Sequence, residues 1–207
     1  VAPPNGQAPY QFVSRSFAWS PTGDALLLSL DLPEEGRRAL ALVRVEPSSA
    51  QASLRPPIYR YDFGSWSPDG ARLIVSGWNP DRSVVVGVLD RDGAVITMTN
   101  ARDLGLGWTQ DAVERDDGQI VMLASPAGPE SPLALYTAQG QAVTGPIGSR
   151  APTRVAWSPD RSAILVVIAE DAGTRYYVAQ VDEGSIREIT AQVAGALAVE
   201  WVSGGAP

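Results

Sequence analysis

The sequence predicts an all-β fold, a β-propeller of four-stranded antiparallel blades with four full blades and a partial fifth. The first observation behind this prediction is a repeated segment in which a short apolar run ends in tryptophan and a turn follows. It reads Trp66-Ser67-Pro68-Asp69-Gly70 before a second apolar run, and it recurs at Trp19 and Trp157. A degenerate copy surrounds Glu114, and a truncated copy contains Trp201. Two apolar runs joined by such a turn indicate a β-hairpin.

The second and third observations concern spacing. The positions equivalent to Trp66, which we call anchor positions, are separated by 47, 48, 43 and 44 residues and are occupied by Trp19, Trp66, Glu114, Trp157 and Trp201. A second turn marker runs in phase with them, because Gly93, Gly140 and Gly184 each lie 26 or 27 residues after their anchor. A period in the forties with strand-like runs is typical of propeller blades.

The turn that follows each anchor has the chemistry of a type I turn closed by glycine. Proline presets φ at the second position, aspartate tolerates the third, and glycine accepts positive φ at the fourth. That glycine is Gly23, Gly70 or Gly118, whereas Arg161 stands in its place in the fourth unit, at a cost of about 1 kcal/mol. We predict that the indoles of Trp19, Trp66, Trp157 and Trp201 pack in the layers between neighbouring units.

The units follow one another along residues 10–207, the predicted propeller domain. Residues 1–9 are rich in proline and read as a linker. The first unit covers about 14–57, with strands near 14–20, 25–30, 39–45 and 51–54, and the second covers 58–105. The continuous apolar runs of the second unit at 72–76 and 84–89 suit strands that are buried on both faces.

The third unit, about 106–150, is aberrant because Glu114 replaces the anchor tryptophan. Two interpretations are open. Either Trp108 fills the layer that the missing indole leaves, which we favour, or Glu114, Asp116 and Asp117 form an exposed acidic pocket. The fourth unit covers about 151–193, and a partial fifth covers 196–203. The ring is then either a closed four-blade ring or part of a larger propeller, which would leave a sheet edge to be covered.

Composition excludes several classes of function. A formal net charge of −7 argues against nucleic acid as a partner. The chain has no cysteine and no histidine, which removes thiolate nucleophiles, imidazole bases and Cys/His zinc sites. No apolar run is long enough to span a membrane. Asp90-Arg91-Asp92-Gly93 lacks the further ligands of a calcium loop, and no glycine pattern for phosphates occurs, so we predict no metal and no cofactor.

At these residues the chain resembles the TolB-type WD40-like (PD40) β-propeller repeats. Trp66-Ser67-Pro68-Asp69-Gly70 matches the repeat signature in full, whereas Thr22, Arg161 and the segment at Glu114 depart from it. The resemblance extends over about residues 14–203. It implies a bacterial, extracytoplasmic module in a membrane-associated assembly, but a fold by itself does not imply a function.

Three functions remain compatible with the residues. We predict a non-catalytic interaction propeller that binds other protein subunits, with Trp78, Tyr59, Tyr61, Tyr176 and Tyr177 as candidate contact residues. The first alternative is a regulatory propeller that belongs to a larger hydrolase or peptidase. The second is a lyase or glycosidase that works without histidine, which would need two carboxylates that converge across a cleft.

Overall fold

The fold is seen in a computed structural model that describes residues 11–32, 37–46, 49–55, 60–195, 199 and 201. The expected linker at 1–9 and most of the expected fifth unit lie outside these residues. The first two sheets consist of β1 (Gln11–Trp19), β2 (Ala25–Leu32), β3 (Arg37–Glu46), β4 (Ser49–Arg55), β5 (Arg60–Trp66), β6 (Arg72–Trp78), β7 (Val84–Asp90) and β8 (Val95–Asn100). The next two consist of β9 (Trp108–Glu114), β10 (Ile120–Ser125), β11 (Ala134–Thr137), β12 (Arg154–Trp157), β13 (Ala163–Glu170), β14 (Gly173–Gln180) and β15 (Ile186–Glu188).

These strands form four separate antiparallel sheets, and in each sheet the strands pair in chain order. We call the sheets blade 1 (β1–β4), blade 2 (β5–β8), blade 3 (β9–β11) and blade 4 (β12–β15). One short 3₁₀ helix, Ala101–Leu104, connects blades 2 and 3. The all-β architecture of successive antiparallel blades is therefore confirmed.

Blade 3 differs from the four-stranded expectation, because it has three strands. The segment after β11 pairs with it only at two isolated bridges, Leu133 with Ile147 and Tyr136 with Ala142. Pro146 lies in this segment and has no backbone N–H to give to a ladder. The hydroxyl of Thr144 accepts a hydrogen bond from the backbone N–H of Leu135 at 3.0 Å, so a side chain supplies one of the bonds that a fourth strand would supply.

The core lies between the blades, in three apolar layers. The layer between blades 1 and 2 contains Leu27, Leu40, Leu42, Trp66, Leu73 and Val75. The layer between blades 2 and 3 contains Ile74, Val84, Val86, Ala112, Met122 and Ala124. The layer between blades 3 and 4 contains Val121, Leu123, Leu133, Leu135, Ile164, Val166 and Ile168. Successive residues of β6 thus face different neighbouring blades, and this is why Leu73, Ile74 and Val75 are all apolar and buried.

The hairpin turns have the backbone geometry that their residues favour. The fourth turn position has positive φ in all four units, as shown by Gly23 (73°), Gly70 (68°), Gly118 (80°) and Arg161 (57°). The turn ends each first strand and reverses the chain into the second, antiparallel strand. It therefore fixes where each anchor residue meets the neighbouring blade.

Candidate interaction surface

The anchor residues show how one blade contacts the preceding one. Trp66 is 2 % exposed, and its indole N–H donates to the backbone oxygen of Ala18 in blade 1 at 3.0 Å. The Trp201 indole donates in the same way to the backbone oxygen of Ala156 in blade 4 at 2.8 Å. In both cases the acceptor is the residue just before the preceding anchor. The two contacts therefore define a repeated relation between adjacent units.

Trp19 occupies the same position in blade 1, but its surroundings differ from the predicted packing. It is 53 % exposed, and Phe17 on the same strand is 59 % exposed. Register pairs Phe17 with Leu28 and Trp19 with Leu26, and the intervening Ala18 packs against the core shared with blade 2. Phe17 and Trp19 therefore lie on the other face of the sheet. No blade among the described residues lies against them, which explains their exposure.

We call this side the outward face of blade 1. Strand register and alternation place on it Phe17, Trp19, Leu26, Leu28, Ala41, Val43 and Val45. Leu28, Ala41 and Val43 are buried and form a cluster with Leu26 that contains residues of blade 1 alone among those described. Val45 at the end of β3 is 39 % exposed. The face thus combines a buried apolar centre with exposed aromatic and aliphatic side chains.

The anchor position of blade 3 holds an ion pair. Glu114 is 3 % exposed and accepts two hydrogen bonds from the Arg72 guanidinium of blade 2, one from Nε at 3.1 Å and one from a terminal nitrogen. An exposed acidic pocket at this position is therefore not what the structure shows. Trp108 packs in the layer between blades 2 and 3, where its ring centroid lies 4.8 Å from that of Trp78.

Arg161 connects three blades, a role that its place in the sequence did not reveal. Its guanidinium donates to the backbone oxygen of Trp66 in blade 2 at 2.9 Å and to the backbone oxygen of Glu114 in blade 3. Burial lowers the pKa of Arg161, and the charges of Asp116 and Glu114 oppose that shift. The only signal in the sequence was the absence of glycine at a turn position that requires positive φ.

Asp111 is a buried carboxyl group on β9 that faces blade 4. It is 6 % exposed, and register pairs it with Leu123, a residue of the layer between blades 3 and 4. Burial raises the pKa of Asp111 to about 8, although the nearby Trp157 indole and the Ala112 backbone N–H lower it in part. The Trp157 indole N–H makes no hydrogen bond of standard geometry with any described atom. Asp111 is therefore mainly protonated at neutral pH.

Charged residues of the turns form pairs between adjacent blades. Asp24 of blade 1 pairs with Arg91 of blade 2, and Arg44 pairs with Asp92. Asp24 accepts hydrogen bonds from Thr22, Arg91 and Ser20, and these hold its pKa well below the usual range. In blade 3, Arg115 pairs with Asp182 of blade 4 at 2.7 Å. The two pairs between blades 1 and 2 are exposed, so each adds little to stability, whereas the Arg115 side chain is only 15 % exposed.

The residues expected to contact a partner are dispersed. Trp78 is half-buried against Trp108. Tyr177 packs in the layer between blades 3 and 4, and Tyr176 lines a small cavity on the opposite side of blade 4. Tyr59 and the side chain of Tyr61 lie outside the described residues. The three described candidates, Trp78, Tyr176 and Tyr177, do not lie on one surface. The exposed residues of the outward face of blade 1 were not among the predicted contact residues.

Two further observations bear on chemistry and location. Within the described ranges, no group of three or more Asp, Glu, His or Cys side chains is placed to hold a metal ion. No described helix is both long enough and apolar enough to cross a membrane.

Comparison with known proteins shows the fold. The chain is similar to TolB from Acinetobacter baumannii, with a TM-score of 0.59 and 17 % identity over 87 % of this chain and 43 % of that one. It is similar to the Dos1 propeller, with a TM-score of 0.58 and 13 % identity over 87 % and 47 % of the two chains. Hydrazine synthase from Kuenenia stuttgartiensis gives a TM-score of 0.58 and 16 % identity over 84 % and 48 %.

These likenesses show that the chain has a β-propeller fold like that of TolB. The chain spans about half the length of each of these three structures. No protein-family model matches the sequence, and no curated protein sequence matches it.

Proposed function

We propose that this TolB-like propeller is a non-catalytic interaction module that binds another protein subunit through the outward face of blade 1. The observation that carries the proposal is the exposure of Phe17, Trp19 and Val45 on that one face. Aromatic residues are enriched in protein–protein interfaces, and a contiguous exposed apolar patch is a feature of interaction sites. Membership of the PD40 repeat family and an extracytoplasmic location are parts of the same proposal, and they are supported by the repeat signature at Trp66.

The arrangement of the buried carboxyl groups supports a role without catalysis. Asp111 and Glu114 lie on the same strand, but register directs Asp111 toward blade 4 and Glu114 toward blade 2. Glu114 is occupied by Arg72. A pair of carboxyl groups that converges on one substrate, as glycoside hydrolysis requires, is therefore not formed by these two residues.

The test is a binding experiment with matched surface variants. The wild-type chain, Trp19→Ser and Ile96→Ser are immobilised and exposed to membrane and soluble extracts of the source cells, and bound proteins are identified by mass spectrometry. Ile96 is the matched control, because it is 54 % exposed on the outermost strand of blade 2. We expect one protein that the wild-type chain and Ile96→Ser retain and that Trp19→Ser loses.

Retention of the same proteins by the wild-type chain and both variants would contradict a role for the outward face. Cell fractionation tests the location separately, since a cytoplasmic pool would contradict the extracytoplasmic part of the proposal. Neither result depends on the other.

A further inference from the structure

The layer between blades 3 and 4 contains more unpaired polar atoms than the other two layers. Among the described residues, five buried side-chain nitrogen or oxygen atoms make no hydrogen bond of standard geometry. Three of them lie in this layer or at its edge and belong to Asp111, Arg115 and Trp157. The other two belong to Ser76 and Thr109, which register places between blades 2 and 3. Buried polar groups are normally paired, so the contact between blades 3 and 4 is the least well satisfied of the three.

Asp111 is the carboxyl group inside this layer. Its side chain lies beside two neutral donors, the Trp157 indole and the Ala112 backbone N–H. Its partner in register, Leu123, is fully buried in the same layer. A carboxylate that is removed from water needs a cation or several donors to stay ionised. Two neutral donors are too few, so this carboxyl group keeps its proton while the two blades are in contact.

The other acids on these two faces are paired with cations. Arg115, from the turn after β9, pairs with Asp182, from the turn after β14. Arg175 on β14 pairs with Glu170 and Glu188. Further charged or titratable groups at the margin of the layer are Asp117, Arg150, Arg161, Asp171 and Tyr177. Within the described ranges, the carboxyl group of Asp111 has no such cationic partner.

We propose that the contact between blades 3 and 4 is a pH-dependent switch, in which protonated Asp111 keeps the two blades together and its ionisation lets them separate. Separation gives the carboxylate access to water and exposes the apolar face of blade 4 that carries Ile164 and Val166. The inference goes beyond the proposed function and does not depend on it.

The direction of the switch follows from where the proton is bound. The closed contact holds the Asp111 proton up to a pKa of about 8, whereas an Asp111 in water releases it near the ordinary value of 3.8. Opening therefore becomes more favourable by about tenfold per pH unit between these two values. Above pH 8 the closed form is ionised as well, and the dependence on pH levels off.

The reactivity of a buried thiol measures this opening, because the chain contains no cysteine of its own. Val166→Cys places a thiol on β13 between blades 3 and 4, and Val75→Cys places one on β6 between blades 1 and 2. The two valines are matched, since they are 1 % and 0 % exposed on the second strand of their blades. Each complete chain reacts with dithiodipyridine from pH 5 to pH 8. Each rate is divided by the rate of the same chain unfolded in urea at the same pH.

We expect the normalised rate of the Val166→Cys chain to rise by about tenfold per pH unit between pH 5 and pH 7. At pH 7 it should exceed the rate of the Val75→Cys chain by about tenfold or more, because a local opening is more frequent than global unfolding. Adding Asp111→Asn to the Val166→Cys chain should remove the dependence on pH. Adding Asp103→Asn, at an exposed aspartate, should leave it unchanged.

Circular dichroism establishes that each variant is folded, and Ala179→Cys supplies a second buried reporter in the same layer. Equal normalised rates for the Val166→Cys and Val75→Cys chains would show that the whole chain unfolds, and this would overturn the proposal. A rate for Val166→Cys that does not change with pH would overturn it too. So would a dependence on pH that persists with Asp111→Asn.

Discussion

Blades 2 and 3 both bury their anchor side chain against the preceding blade, but the two side chains interact there with different chemistry. The anchor of blade 2, Trp66, is buried against blade 1 and gives one hydrogen bond to a backbone oxygen. The anchor of blade 3, Glu114, is equally buried against blade 2 but forms an ion pair with Arg72. Register puts both side chains on the face that meets the preceding blade. Strand position, and not residue type, therefore decides which blade the anchor contacts.

The interface between blades 3 and 4 also differs from the regular interfaces. The strand that ends at Glu114 has an irregular register beside Asp111, and Trp157 of blade 4 packs beside that buried carboxyl. In the regular interfaces the indole instead donates to a backbone oxygen. Replacing one anchor thus goes with a second buried polar group, Asp111, three residues earlier on the same strand. Four substitutions test this comparison.

The largest effect is expected from Trp66→Ala. The indole is almost fully buried between blades 1 and 2, and truncation of such a side chain costs about 3–5 kcal/mol through lost burial and a residual cavity. Urea denaturation of wild type and variant measures the change in the free energy of unfolding. A change below about 1 kcal/mol would show that the anchor does not stabilise this layer.

The next effect depends on pH and concerns Asp111. Its pKa in the folded protein is about 8, above the ordinary value of 3.8. Between these pH values the folded state keeps a proton that the unfolded chain has released. The contribution of Asp111 to the free energy of unfolding is therefore complete below about pH 4. It decreases by up to about 1.4 kcal/mol per pH unit as the pH rises, and it is lost as the pH passes through 8.

Asp111→Asn should remove this pH dependence and make the protein more stable than wild type at pH 8. Chemical denaturation at pH 5 and pH 8 measures both effects. Asp103 is exposed, so Asp103→Asn is the control that should keep the wild-type slope. Parallel slopes for Asp111→Asn and wild type would contradict a protonated Asp111.

Glu114→Gln should have a smaller effect, about 1–3 kcal/mol, because it removes the charge that pairs with Arg72. The Arg72 side chain is 43 % exposed, so water partly replaces its lost partner. A double-mutant cycle with Arg72→Gln isolates the interaction energy. Glu130→Gln, at an exposed glutamate, provides the control, and additive single effects would show that the ion pair does not stabilise the interface.

The smallest effect on stability is expected from Trp19→Ser. This tryptophan has the same sequence position as Trp66 but is half exposed, so its loss should change the free energy of unfolding by no more than about 0.5 kcal/mol. Parallel denaturation of Trp19→Ser and Trp66→Ala compares the two anchors directly. Equal losses would mean that the outward face of blade 1 is covered in solution.

The repeating part of the fold followed from the sequence because its causes are local. The turns at Gly23 and Gly70 depend on four neighbouring residues, and the buried strand at 72–76 carries its own apolar pattern. The irregular part depends on residues in other blades. That Glu114 meets Arg72, 42 positions earlier, requires the register of two sheets, which no local pattern specifies.

The candidate surface was not predictable for a related reason. Trp19 and Trp66 have nearly the same local sequence context. Among the described residues a neighbouring blade packs against Trp66 and none packs against Trp19, and this distinguishes the buried indole from the exposed one. The hydrogen bond from Arg161 to Trp66 joins residues that are 95 positions apart in the sequence. Its side chain conformation follows from the assembled blades and not from the turn in which it lies.

Arg161 has a consequence for how the molecule opens. In most repeat proteins each unit contacts only its immediate neighbours, so end units can fray independently. The guanidinium of Arg161 binds blade 2 as well as blade 3 from its position in blade 4, which adds a direct link between units that are not adjacent. Loss of blade 4 therefore removes a hydrogen bond from blade 2, and amide exchange in these three blades should become correlated.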